Sequence, residues 1–86
     1  MREYEPGRFQ QVVNQRRPRG HREIGDQHHT HWVRVLCLIR WERDGMELVE
    51  ATAKRWTDGF VYVTFADARL YGGGVWLPAR DVQRRP

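Results

Sequence analysis

Two Asp-Gly pairs, at 44–45 and 58–59, each sit between runs rich in β-branched and aromatic residues. "WVRVLCLIRW" (32–41) precedes the first pair. "MELVEATAKRW" (46–56) lies between them, and "FVYVTF" (60–65) follows the second. Asp-Gly between such runs is a strong short-range hairpin signal. A shorter run, "GVWL" (74–77), follows the loop "DARLYGGG" (67–74). Short strands separated by glycine turns predict an all-β domain, a sandwich or a barrel.

The turns also fix the faces, because side chains alternate along a strand and paired residues share a face. A two-residue turn at 58–59 sets Ala53 beside Thr64 and Lys54 beside Val63, which mixes apolar and polar positions. A three-residue loop Thr57-Asp58-Gly59, with Gly59 left-handed, pairs Trp56 with Phe60 and Ala53 with Val63 instead. The same loop length at 43–45 pairs Ile39 with Val49 and Val35 with Ala53. One face then holds Val33, Val35, Cys37, Ile39, Val49, Ala51, Ala53, Val61, Val63 and Phe65, the predicted core. The opposite face carries a row of Trp32, Trp56 and Phe60, then a row of Arg34, Lys54 and Tyr62. Leu36, Thr52 and Thr64 follow.

The 86 residues are enough for one domain. Residues 1–30 hold few aliphatic side chains and many Arg, Gln, His and Pro, so they read as a mostly flexible basic arm. Within it, Phe9, Val12 and Val13 have helical spacing, which predicts one short helix over 8–17, ended by "RRPRG". Residues 31–86 form the predicted domain.

Fifteen Lys and Arg against eleven Asp and Glu give a net charge of +4, which suits a polyanionic partner. Lys54 is the only lysine, so the positive charge is carried by arginine. Cys37 is the only cysteine and sits in an apolar run, which predicts a buried thiol and no internal disulfide. No apolar stretch approaches the roughly 20 residues of a membrane span, and the expected compartment is the cytoplasm. The chain has no serine, and no nucleophile–base pairing is visible, so no catalytic residue is assigned. "HHTH" (28–31), with His21 upstream, reads as a solvated hinge, and "YGGG" (71–74) as a loop between strands. No metal, cofactor or small-molecule substrate is expected.

The strand "LVEATAKRW", the hairpin "DGFVYVTF" and the stretch "VWLPARDVQR" resemble SH3-like small barrels of the Tudor and chromo-barrel kind. The resemblance covers about residues 46–85. It implies a strand ending at Trp76-Leu77-Pro78, a single 3₁₀ turn at Ala79-Arg80-Asp81, and a last strand starting at Val82. The whole is then a five-stranded SH3-like barrel. Tudor domains read methylated Lys or Arg through an aromatic cage, but no acidic residue stands beside Phe60 and Tyr62, so that activity is not carried over. Archaeal chromatin barrels bind DNA through a sheet bearing Trp and basic residues, and the face of Trp32, Arg34, Lys54, Trp56 and Tyr62 is similar in kind.

The expected function is therefore a non-enzymatic binding module that contacts nucleic acid, with DNA favoured. Trp32, Arg34, Lys54, Trp56, Phe60 and Tyr62 form its sheet face, aided by Arg16, Arg17 and Arg19 of the arm. Aromatic rings stack on bases while the cations neutralise phosphates. The alternative is an adaptor or inhibitor that docks the same patch on a partner protein. A third outcome is that the patch is covered by the chain itself or in a weak homodimer.

Overall fold

In the computed structural model, which describes residues 8–18 and 32–85, five strands form one antiparallel sheet. They are β1 (Val33–Trp41), β2 (Gly45–Thr57), β3 (Phe60–Thr64), β4 (Gly74–Pro78) and β5 (Val82–Arg84), in the order β4-β3-β2-β1-β5. β4 and β5 are the two edges and do not pair, so the sheet is not closed. A 3₁₀ turn at Ala79–Asp81 joins them. The described residues contain no α-helix.

β2 bends the sheet. It pairs with β1 over Gly45–Ala53 and with β3 over Thr52–Thr57, and the two ladders overlap at Thr52 and Ala53 alone. The register shifts between Ala53 and Arg55, next to that overlap. Lys54 is the extra residue of a β-bulge, which kinks the bulged strand and increases its local twist.

Two expected registers are corrected. At 58–59 the turn has two residues, not three: Thr57 pairs with Phe60 and Trp56 with Val61. The bulge absorbs the odd residue, so Ala53 still meets Val63. At the first turn the loop is Glu42–Asp44, and Gly45 sits opposite Trp41 with φ +81°. Ile39 therefore faces Glu47 rather than Val49, and Val35 faces Ala51. Residues of the N-terminal segment hold this loop. The Gln10 side-chain oxygen accepts from the Arg43 and Asp44 amides at 3.0 and 3.1 Å, and the Glu42 amide donates to the Gln11 carbonyl at 3.0 Å. A shift of two residues leaves every side chain on its own face, so the predicted core survives.

That core contains Val35, Cys37, Ile39, Ala51, Ala53 and Val63, all buried, with Val33, Val49, Val61 and Phe65 packed against them. Trp41, Val75, Leu77 and Val12 complete it. Burial pushes the Cys37 thiol up to about 12, which keeps it an unreactive apolar filler.

Residues 8–18 are not a helix and do not hang free. Val12 is 3% exposed and bridges to Trp41 as an isolated antiparallel pair. Asn14 donates to the Leu38 carbonyl at 2.8 Å and accepts from the Arg40 amide at 2.9 Å. The Arg16 amide then donates to the Trp76 carbonyl at 3.0 Å. The segment thus bonds to β1 at one end and to β4 at the other, across the side where the sheet is open. A local pattern of Phe9, Val12 and Val13 suggested a helix, but capping two strand edges satisfies more backbone groups than a marginal isolated helix would.

Candidate functional site

The outer face near the β2 bulge has two parts. On the β1 side, Trp32 precedes β1 and is 43% exposed. The Lys54 ammonium lies 4.2 Å from its ring centre, a cation–π contact. Arg34 is exposed on the same face, opposite Thr52. The bulge gives Lys54 its reach toward Trp32, because the extra residue leaves the regular ladder at that point.

On the β3 side, Tyr62 pairs with Arg55 of β2 and with Trp76 of β4. The Arg55 guanidinium lies 5.7 Å from the Tyr62 ring centre, and the Tyr62 and Trp76 rings are 5.4 Å apart at 54°. Phe60 continues this face between Thr57 and Pro78 and is half-buried. Gly74 sits beneath the Tyr62 ring, where a side chain would collide with the tyrosine hydroxyl.

Trp56 departs from the expected row. Pairing with Val61 turns it to the inner face, where it lines an apolar hollow of about 190 Å³ with Val33, Ala53 and Arg84 among others. The bulge is the physical cause, since every β2 residue after it changes face relative to a regular strand. Arg55 takes the outward place assigned to Trp56, and Trp76 joins by register with Tyr62. Sequence reasoning missed both. The β3–β4 register would have found Trp76, whereas no glycine or proline marks the bulge.

Of the arginines expected to help, Arg16 lies on the docked segment and its guanidinium donates to the Gln15 carbonyl at 2.8 Å. Arg17 follows it and is exposed. Arg19 and the histidines at 21, 28, 29 and 31 lie outside the described residues. Among the described residues no group of His, Cys, Asp and Glu is placed to hold a metal ion, and no helix is long and apolar enough to cross a membrane.

A second charged cluster is structural. Arg69 donates to Asp67 at 2.8 Å, to Glu47 at 2.9 Å and to Asp44 at 3.0 Å. Its hydrogen bonds hold the Asp67 and Glu47 carboxyls below their usual range, while Asp44 is lowered first by Gln10 and then by Arg69. The indole N–H of Trp41 is buried and has no acceptor within bonding range among the described residues. With all three carboxylates engaged by one guanidinium, none stands ready as a general base.

Comparison with protein-family models, with curated proteins and with solved structures gives no match.

Proposed function

We propose that this chain is a non-enzymatic nucleic-acid-binding module of SH3-like architecture, working in the cytoplasm. The strand order and the 3₁₀ turn between β4 and β5 support the architectural part of the reading. The observation that carries the functional part is the make-up of one continuous surface. Trp32, Arg34, Lys54, Arg55, Tyr62 and Trp76 share it; no carboxylate occurs in the stretches 32–35, 52–57, 60–64 and 74–78 that build it, and Glu50 at its border, opposite Leu36, is paired with Arg85 at 3.4 Å.

Such a surface suits a strand of nucleic acid. Lys54 and Arg55 are neighbours in sequence but serve different rings, so cation and aromatic alternate across the face. Phosphates follow the cations, and bases meet Trp32, the most exposed ring of the group. Affinity of this kind falls steeply with salt, because each neutralised phosphate releases counterions. DNA is the favoured partner.

Fluorescence anisotropy of a labelled single-stranded and a duplex DNA, titrated from about 50 mM salt upward, tests the proposal. Binding that weakens linearly on a log–log plot is expected. No binding of either DNA or of an RNA of equal length at the lowest salt would sink it.

A further inference from the structure

The distal half of the outer face, around the β1–β2 hairpin, is built differently. Leu38 pairs with Leu48 and Arg40 with Met46, so these four side chains form a block on the outside of the sheet. Met46 is 56% exposed and Leu48 69%, and Val13 on the docked segment is 48% exposed. Val13, Leu38 and Met46 line a groove of about 270 Å³, walled by the segment Val13–Arg16 and by Arg80 and Asp81 of the 3₁₀ turn.

The charges around this groove are unbalanced. Arg16, Arg40 and Arg80 all line it. Among the described residues the Arg16 guanidinium bonds only to backbone carbonyls and the Arg40 guanidinium only to the Met46 sulfur. Arg80 forms no hydrogen bond or ion pair among the described residues. By contrast Arg69, Arg43 and Arg85 each meet a carboxylate within 4 Å. The one acid of the groove, Asp81, accepts from Asn14 at 3.0 Å.

From this juxtaposition we infer that the groove docks an acidic protein segment bearing aliphatic side chains. Exposed aliphatic side chains next to one another mark a contact surface, and Met and Arg are enriched in protein–protein interfaces. The volume is below the roughly 300–1,000 Å³ usual for small-molecule sites, so it suits inserted side chains. Nucleic acid would answer the arginines but not the aliphatics, since no aromatic platform lies here for a base to stack on. A second copy of the chain would set arginine against arginine. A membrane would need an apolar surface that projects, whereas this one is recessed between two walls. The inference is independent of the nucleic-acid face, which occupies the other half of the sheet.

Fluorescence anisotropy with three labelled peptides of equal length tests it, one alternating Glu and Leu, one Glu and Ser, and one Lys and Leu. The Glu/Leu peptide should bind, and the other two at least tenfold more weakly. Met46→Ser, and separately Arg40→Glu with Arg80→Glu, should each weaken it at least tenfold. All these positions are exposed, so circular dichroism should be unchanged, and Met46→Ser should leave DNA binding intact. Equal binding of the Glu/Ser or Lys/Leu peptide would overturn the inference, as would no binding of the Glu/Leu peptide. Displacement of that peptide by a single-stranded oligonucleotide, or by vesicles containing phosphatidylserine, would overturn it in favour of those partners.

Discussion

The Arg69 guanidinium lies 4.2 Å from the centre of the Trp41 ring, and its donors reach Asp67 on one side and Asp44 and Glu47 on the other. Asp44 and Glu47 belong to the β1–β2 hairpin, while Asp67 and Arg69 belong to the loop between β3 and β4. The Gln10 amide also donates to the Arg69 carbonyl at 3.0 Å. One residue therefore ties the hairpin, the long loop and the N-terminal segment together over a buried indole. Arg69→Ala should lower unfolding free energy by about 1–2 kcal/mol, the scale of a partly buried cation–π contact with its ion pairs. Arg69→Lys should recover little, because an ammonium cannot reproduce the planar fork. Urea unfolding followed by tryptophan fluorescence measures both.

The same cluster sets an acid dependence. Asp44, Glu47 and Asp67 all titrate below their ordinary values in the folded chain. A depressed carboxyl pKa contributes stability above the unfolded value, near 4, and that contribution fades as pH falls through the folded value. Wild-type stability should therefore drop as pH is lowered past about 4. In Arg69→Gln the three carboxylates lose the cation they share, so mild acid should relieve repulsion there. The urea midpoint plotted from neutral pH to pH ~3 should fall less steeply for the variant. Parallel curves would show that Arg69 does not govern the effect.

Gly59 closes the β2–β3 turn with φ +80°, and a Cβ there would meet nothing within 4 Å. The cost of a substitution is thus backbone strain alone. Gly59→Val should destabilise by about 1–2 kcal/mol, and Gly59→Asn by clearly less, since Asn visits the left-handed region more readily. Thermal melts of the two variants make the comparison, and equal melting temperatures would contradict the turn geometry.

How far the sequence reached is set by what its periodicity can encode. Alternation, anchored at the two Asp-Gly turns, assigns Val35, Cys37, Ile39, Ala51, Ala53 and Val63 to the core, and a two-residue slip in the first hairpin does not disturb them. Trp56 was misplaced because one bulged residue, Lys54, reverses every face that follows it in β2. Nothing in "ATAKRWT" marks a bulge, since Lys54 is ordinary in both states. Val12 and Asn14 were lost for another reason. The spacing of Phe9, Val12 and Val13 fits a helix as well as a docked segment, and the polar composition of residues 1–30 gives no sign that Val12 is buried against Trp41 or that Asn14 bonds to β1. The strand end at Trp76-Leu77-Pro78 and the turn after it are expected from the resemblance to small barrels rather than from periodicity, and β4 does end at Pro78 with a 3₁₀ turn at Ala79–Asp81.

The reversal of Trp56 separates two tryptophans by consequence. Trp32→Ala should leave the fold nearly intact and weaken DNA binding by about 1–3 kcal/mol, the range for one stacked base. Trp56 is half-buried on the inner face, so Trp56→Ala should cost about 1–2 kcal/mol of stability, less than the roughly 3–5 kcal/mol of a fully buried aromatic. Any fall in its DNA affinity should track the unfolded fraction. Lys54→Ala should reduce the salt slope by about one unit, as expected for one phosphate contact. Parallel melts and anisotropy titrations distinguish these outcomes. Equal loss of binding in folded Trp56→Ala and Trp32→Ala would place both rings on the DNA.

Gly74 offers a test of the face that leaves the cations untouched. Its backbone has no positive φ, so alanine is conformationally acceptable there. The added methyl would nonetheless collide with the Tyr62 hydroxyl and press on its ring. Tyr62 sits at the end of a side chain that can swing, so the collision should be relieved by moving the ring rather than by opening β3 from β4. That motion pulls Tyr62 away from Arg55 and Trp76, with which it now packs. Gly74→Ala should therefore shift the Tyr62 and Trp76 ring resonances in a proton spectrum and lower DNA affinity severalfold, with a melting temperature within a few degrees of wild type. Combining it with Tyr62→Ala should add no further loss of binding, because the ring that the methyl displaces is already gone. Additive losses in the double variant would mean that Gly74 acts on the face by a route other than Tyr62.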